Sequence, residues 1–148
     1  MEIAVLALGC FWGPEIKFGK LEGITKTEVG YCGGNSNSTT YEEVCSGDTN
    51  HAEVVKLEFD PKKISYEKIL QYFFEIHNPT TLNSQGPDIG TQYRSEIFYV
   101  NEHQMKIAEK IIEENNIKYS GKVVTKISKI KNYCKAEDYH QKYLEKKF

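Results

Sequence analysis

Four cysteines, Cys10, Cys32, Cys45 and Cys134, carry the most nucleophilic side chains in this sequence. Cys10 has the strongest local case for chemistry. It follows the apolar stretch from Ile3 to Leu8 and precedes Pro14, a residue tolerated in a first helical turn, so it sits where a strand gives way to a helix. A thiol at the amino end of a helix faces unpaired N–H groups and a positive dipole end, and both favour thiolate. The competing reading is a buried structural cysteine, as free cysteines often are. Phe11 and Trp12 follow the thiol directly, and adjacent rings cannot share one simple helix face, which weakens a purely packing role for them.

Glu53 is the second candidate. From His51 to Phe59 the sequence alternates, placing Glu53 on the same face as Val55, Leu57 and Phe59. Burial beside such neighbours raises a carboxyl pKa, and a carboxyl that keeps its proton at neutral pH can donate to a developing oxyanion. The competing reading is an outward residue at the wet end of the strand. Tyr41, Tyr93 and Tyr139 could donate hydroxyl hydrogen bonds, although tyrosine rings commonly pack at a core edge with the hydroxyl in water. Asp88, between Pro87 and Ile89-Gly90, suits an Asx-type turn or the acceptance of a neighbouring donor. Phe11, Trp12 and the tyrosines also allow an aromatic cage, which keeps open a non-enzymatic methyl-group or peptide-binding module with a structural cysteine. A cysteine-histidine hydrolase is a further reading, should a histidine approach Cys10 in the fold.

Positioning these residues requires a particular order of elements. Residues 2 to 8 read as a core strand, and a helix of two to three turns from Pro14 toward Gly23 turns Phe18 and Leu21 inward. Residues 24 to 31 give a second strand and His51 to Phe59 a third. Ser65 caps a helix that buries Ile69, Leu70, Phe73 and Phe74 and stops near Asn78-Pro79. Residues 78 to 95, dense in Asn, Thr, Ser, Gly and Pro, form a long loop better suited to a functional wall than to a connector. Ile97 to Val100 supplies a strand, Glu102 to Asn115 a helix, and Lys122 to Ile127 another strand. The tail from Ala136 to Phe148 has helical spacing through Tyr139, Tyr143 and Leu144. This order predicts one α/β (α+β) domain over 1–148, a two-layer sandwich with antiparallel neighbours in its sheet.

Composition narrows the function classes. With 148 residues, 39% of them hydrophobic, the chain can build a core without disulfide staples, leaving its cysteines available for chemistry. A net charge of -2 argues against a broad nucleic-acid surface. No run reaches the roughly 18 apolar residues of a membrane span, and the acidic start lacks the basic region of a secretory signal, so a reducing cytoplasm is the expected home. The four histidines and four cysteines lack zinc-knuckle spacing, and no metal site is expected. Arg94, the single arginine in the chain, is the one rigid planar fork and suggests a specific contact.

Gly9-Cys10-Phe11-Trp12-Gly13 resembles the signature of the A-type peptide methionine sulfoxide reductases. The resemblance extends through Val29-Gly30-Tyr31, the block from Tyr41 to Gly47, His51-Ala52-Glu53, the block from Asp88 to Ser95, and Ala136 to Gln141. It implies a ferredoxin-like core with additions and a thiol reductase that returns the S epimer of methionine sulfoxide, free or in proteins, to methionine. By that resemblance Cys10 matches the nucleophile and Glu53 the acid at the sulfoxide oxygen, with Tyr41 and Tyr93 as hydroxyl donors. Phe11 and Trp12 match the pocket for the substrate methyl group, and Asp88 a polar organiser of the site. A sulfenic acid at Cys10 is then implied, and another thiol converts it to a disulfide. Relatives often carry resolving cysteines in a C-terminal extension. Here Cys134, just before the terminal block, and Cys32, in a glycine-rich stretch, are the candidate resolvers, whereas Cys45 reads as structural. Failing both, an external thiol such as thioredoxin, glutaredoxin or a small thiol attacks directly. No bound cofactor is implied, and a monomer is expected. Asn50 stands where relatives carry glycine, and asparagine tolerates unusual backbone angles.

Overall fold

The apolar run Glu2–Leu8 forms β1, a strand covered on both faces, at the interior of a six-stranded sheet. The computed structural model describes residues 1–144, so the part of the expected tail helix that falls on 145–148 lies outside the described residues. After β1 come α1 (Trp12–Gly19), β2 (Ile24–Cys32), the short α2 (Tyr41–Cys45), β3 (Ala52–Phe59) and α3 (Tyr66–Glu75). A two-residue hairpin, β4 (Ser84–Gln85) and β5 (Asp88–Ile89), and a 3-10 turn at Thr91–Tyr93 lead into β6 (Ser95–Tyr99). Then follow α4 (Glu102–Lys118), β7 (Lys126–Lys129), β8 (Cys134–Lys135) and a 3-10 turn at Asp138–His140.

The sheet order is β7-β6-β1-β3-β2-β8, antiparallel throughout except for the parallel β6–β7 edge pair. This is the mixed, largely antiparallel sheet of a ferredoxin-like core with helical additions. Alternation sorts the two faces. Leu6, Leu8, Val55, Leu57 and Phe59 meet Phe18, Ile69, Phe73 and Ile111 from the helices in the main core. Val5, Ala7, Cys32, Ala52, Val54 and Phe98 point the other way, where Ile130 and Tyr133 cover them. A third cluster joins Phe11, Val29, Tyr31, Val44 and Ala136 beside the start of α1.

The Ser65 cap is present, its hydroxyl accepting from the Lys68 N–H, and Asn50 adopts φ +59° as its side chain allows. The tail departs from its expected helix only up to Lys142; Tyr143 and Leu144 are helical. Gln141 uses its side chain to bond both the N–H and the carbonyl of Val29 on β2, and the Lys142 N–H reaches buried Glu15 at 2.6 Å. Bonds that a helix would direct along itself are there directed into the sheet, with a 3-10 turn at Asp138–His140 ahead of them.

Candidate active site

Gly9, at φ +101°, turns the chain off the end of β1, and a Cβ here would lie 2.8 Å from Gln85, so only glycine admits the hairpin against this turn. The turn sets Cys10 ahead of α1. The first N–H groups of that helix have no partners inside it: the Phe11 N–H donates to Glu53 Oε1 at 3.3 Å, and the Trp12 N–H favours the charged form of the Cys10 sulfur. Pro14 brings no N–H to satisfy. Antiparallel register places Glu53 of β3 beside Tyr31 of β2, so Glu53 closes the strand end under Phe11.

Glu53 is 1% exposed, and its Oε2 has no hydrogen-bond partner among the described residues. Burial pushes its carboxyl up to about 8; the Phe11 N–H works against this, and the nearby Asp88 charge adds to it. The acid is therefore largely protonated at neutral pH.

Cys10, half-buried, departs from the thiolate expected of a helix amino end. Desolvation pushes the thiol up to about 11, against the lowering effect of the Trp12 N–H, and the charges of Glu53, Asp88 and Cys45 add to the rise. A single backbone donor does not outweigh burial beside two acids. The resting pocket is thus electrically quiet, with thiol and carboxyl both neutral.

Tyr41 stands at the start of α2, one turn before Cys45, and Tyr93 at the end of the 3-10 turn; each feels the other and Glu53. Burial raises Tyr93 to about 12 and moves Tyr41 well above the phenol range, so both remain donors. Tyr93 is set by Arg94, whose fork donates to Glu96 Oε1 at 2.6 Å and to the carbonyls of Thr91 and Asn50. The specific contact expected of this arginine is thus internal, tying the Tyr93 turn to the residues just before Glu53. Asp88 sits on the hairpin that Gly9 admits, and its charge is felt by both Cys10 and Glu53.

The structure also supplies a residue that sequence reasoning passed over. His140 is buried, accepts from the Trp12 indole N–H at 3.0 Å through Nδ1, and packs against the rings of Phe11, Trp12, Tyr41 and Tyr139. An indole only donates, so Nδ1 accepts and Nε2 carries the proton; that nitrogen has no partner among the described residues. Tyr143 stacks on Trp12 at 3.9 Å. Glu137 accepts from the Tyr31 hydroxyl and from the Tyr41 N–H, binding the terminal segment to β2 and α2 together. The recurrence of His140 within the Ala136 to Gln141 block was the available signal, but nothing local connected it to Trp12.

The candidate resolvers are placed unequally. Cys32 is fully buried on the sheet face opposite Glu53, donating to the Lys131 carbonyl. Cys134 pairs with Tyr31 across β8 and β2, with its sulfur toward the Thr39 carbonyl at 3.7 Å. Cys45 is exposed and stands among the site residues. Among the described residues no group of three or more His, Cys, Asp or Glu could hold a metal ion, and no helix is long and apolar enough to cross a membrane.

A nucleophilic sulfur, a protonated acid with a free oxygen, two hydroxyl donors and an aromatic wall together make a thiol reductase site for a small, polar S–O group. The family model for peptide methionine sulfoxide reductase matches residues 2–148, and the chain belongs to that family. It is 74% identical over 147 residues to peptide methionine sulfoxide reductase MsrA of Pelagibacter ubique, covering 99% of this chain and 100% of that one. Its fold is similar to Mxr1 from Saccharomyces cerevisiae in reduced form, with a TM-score of 0.93 at 44% identity over 98% of this chain and 84% of that one. Mxr1 in complex with Trx2 is similar at a TM-score of 0.68 and 30% identity, over 96% and 84%. These likenesses decide for an enzyme against a binding module. The activity is thiol-dependent reduction of the S epimer of methionine sulfoxide through a catalytic cysteine.

Proposed function

We propose that Cys10 is the cysteine that attacks the sulfoxide sulfur and that Glu53, Tyr41 and Tyr93 hold and protonate its oxygen. The observation that carries this reading is the buried, protonated Glu53 with one unpartnered oxygen, set under the residue that follows Cys10. An isolated buried donor costs about 1–3 kcal/mol, and a substrate oxygen that accepts from the Glu53 hydroxyl removes that cost. The substrate methyl group lies against Phe11 and Trp12, whose positions are set by Tyr31, His140 and Tyr143. Asp88 orders the polar side of the mouth.

The reaction begins from neutral partners. As sulfur attacks, the thiol proton is lost toward the sulfoxide oxygen, whose basicity rises while the S–O bond lengthens. Glu53 and the tyrosine hydroxyls stabilise that oxygen in a site with little competing water. Attack joins the Cys10 sulfur to the sulfoxide sulfur; as the oxygen passes to Cys10, that S–S bond and the substrate S–O bond both break, an S–O bond forms at Cys10, and methionine leaves with Cys10 as sulfenic acid. In net terms the thiol hydrogen becomes the sulfenic acid hydrogen, sulfoxide sulfur is reduced by two electrons and Cys10 is oxidised by two. The R epimer would exchange oxygen and methyl, setting a methyl group on Glu53 and an oxygen on the aromatic wall.

The substrate is taken free or within polypeptides, and the oxidised enzyme is returned by thioredoxin, glutaredoxin or a small thiol. The complex of the similar Mxr1 with Trx2 favours the first of these. A single catalytic domain, acting as a monomer in a reducing cytoplasm without bound cofactor, suits thiol recycling. Purified protein with dithiothreitol is expected to reduce the S epimer and leave the R epimer, and Cys10→Ser is expected to be inert. Turnover of the S epimer by Cys10→Ser would refute the assignment of the nucleophile.

A further inference from the structure

We infer that Cys45 resolves the oxidised enzyme by forming a disulfide with Cys10, and this rests on the nucleophile assigned above. Tyr41 and Cys45 lie four residues apart on α2, hence on one face of it. The Tyr41 ring packs against His140, which packs against Phe11, so the face of α2 that carries Tyr41 and Cys45 is joined by ring contacts to the residue that follows Cys10. The neighbours of the two thiols share a packing cluster: Val44, beside Cys45, joins Phe11, beside Cys10. The Cys45 charge is felt at Cys10, and that of Glu53 at both.

The other thiols are less well placed. Cys32 is sealed on the far face of the sheet. Register sets Cys134 opposite Tyr31, and Tyr31 opposite Glu53. Buried Tyr31 thus stands in the strand between Cys134 and Glu53.

Cys45 is followed by exposed Ser46, Gly47 and Asp48, and nothing lies within 4 Å of where a Gly47 Cβ would stand, so this end of α2 is open to solvent. In the step itself the Cys45 sulfur attacks the sulfenic sulfur, the S–O bond at Cys10 breaks, and an S–S bond forms. The hydroxyl leaves as water with the Cys45 proton. Cys45 is exposed, so the resulting disulfide opens to an external dithiol.

The test is one turnover with excess S epimer and no reductant, with methionine quantified, free thiols counted and the Cys10 peptide mapped by mass. Wild type is expected to pass from four free thiols to two, with one methionine formed and a Cys10–Cys45 cross-link. Cys45→Ser should form methionine, lose only one thiol and leave Cys10 as a sulfenic acid that dimedone captures. Cys134→Ser should lose two, as wild type does. Loss of two thiols from Cys45→Ser, or a free Cys45 in wild type after one methionine has formed, would overturn the pairing while leaving the activity intact. A complete absence of methionine would remove the activity and the pairing together.

Discussion

Glu53→Gln should make the enzyme slower and, at neutral and alkaline pH, more stable. The folded protein holds the Glu53 proton up to about pH 8, whereas a solvated carboxyl of ordinary value 4.5 has released it. Below about pH 4.5 both states are protonated and the residue exerts no pH-dependent penalty. Above that, the unfolded chain loses a proton that the folded chain keeps, so stability falls as pH rises, by about 1.4 kcal/mol per pH unit, until the folded group ionises near 8. Between about pH 5 and pH 8, with the slope flattening toward either pKa, this amounts to roughly 3.5 kcal/mol, which glutamine does not lose while still accepting from the Phe11 N–H. Thermal melts of both proteins across this range should diverge by roughly 7–14 °C, the variant gaining on wild type as pH rises. Other titrating groups are common to both and cancel. Parallel melting curves would show that Glu53 is ionised in the folded state and would refute the general-acid argument built on it. The same variant should lose about two orders of magnitude or more in single-turnover rate at neutral pH, the usual scale of a general acid.

Arg94→Lys should cost about 2–4 kcal/mol in urea titrations, because one ammonium cannot serve Glu96, Thr91 and Asn50 at once and leaves buried carboxylate and carbonyl groups short of donors. A change below about 1 kcal/mol would show that these bonds are replaced without loss. Gly34→Ala would place a Cβ 2.1 Å from His51 Nδ1, inside any non-bonded distance, and His51 directly precedes the strand that carries Glu53. Its melting temperature should fall by roughly 5 °C or more, and an unchanged value would mean that the loop gives way freely.

Local patterns made the strands and two of the catalytic candidates legible. Alternation from residue 52 to 59 placed Glu53 on the face of Val55 and Leu57, because in a strand side-chain direction is a property of neighbours. The Ser65 cap and the left-handed Asn50 were legible for the same reason. What escaped depends on distant parts of the chain. The delay of the tail helix to Tyr143 follows from bonds of Gln141 and Lys142 to β2 and Glu15, more than a hundred residues away. The rise of the Cys10 thiol reflects desolvation and the charges of Glu53 and Asp88, none of which its helix position reveals. α2, five residues long, is too short for a periodic signal, and its link to the site runs through Glu137.

The bond from Trp12 to His140 spans 128 positions. During translation the oxidisable sulfur therefore leaves the ribosome long before its wall exists, and a nascent chain presents Cys10 bare to whatever oxidant or thiol is at hand. The ring cluster beside Cys10 is completed only when Glu137, His140 and Tyr143 dock, so an incomplete product would carry the thiol without that wall.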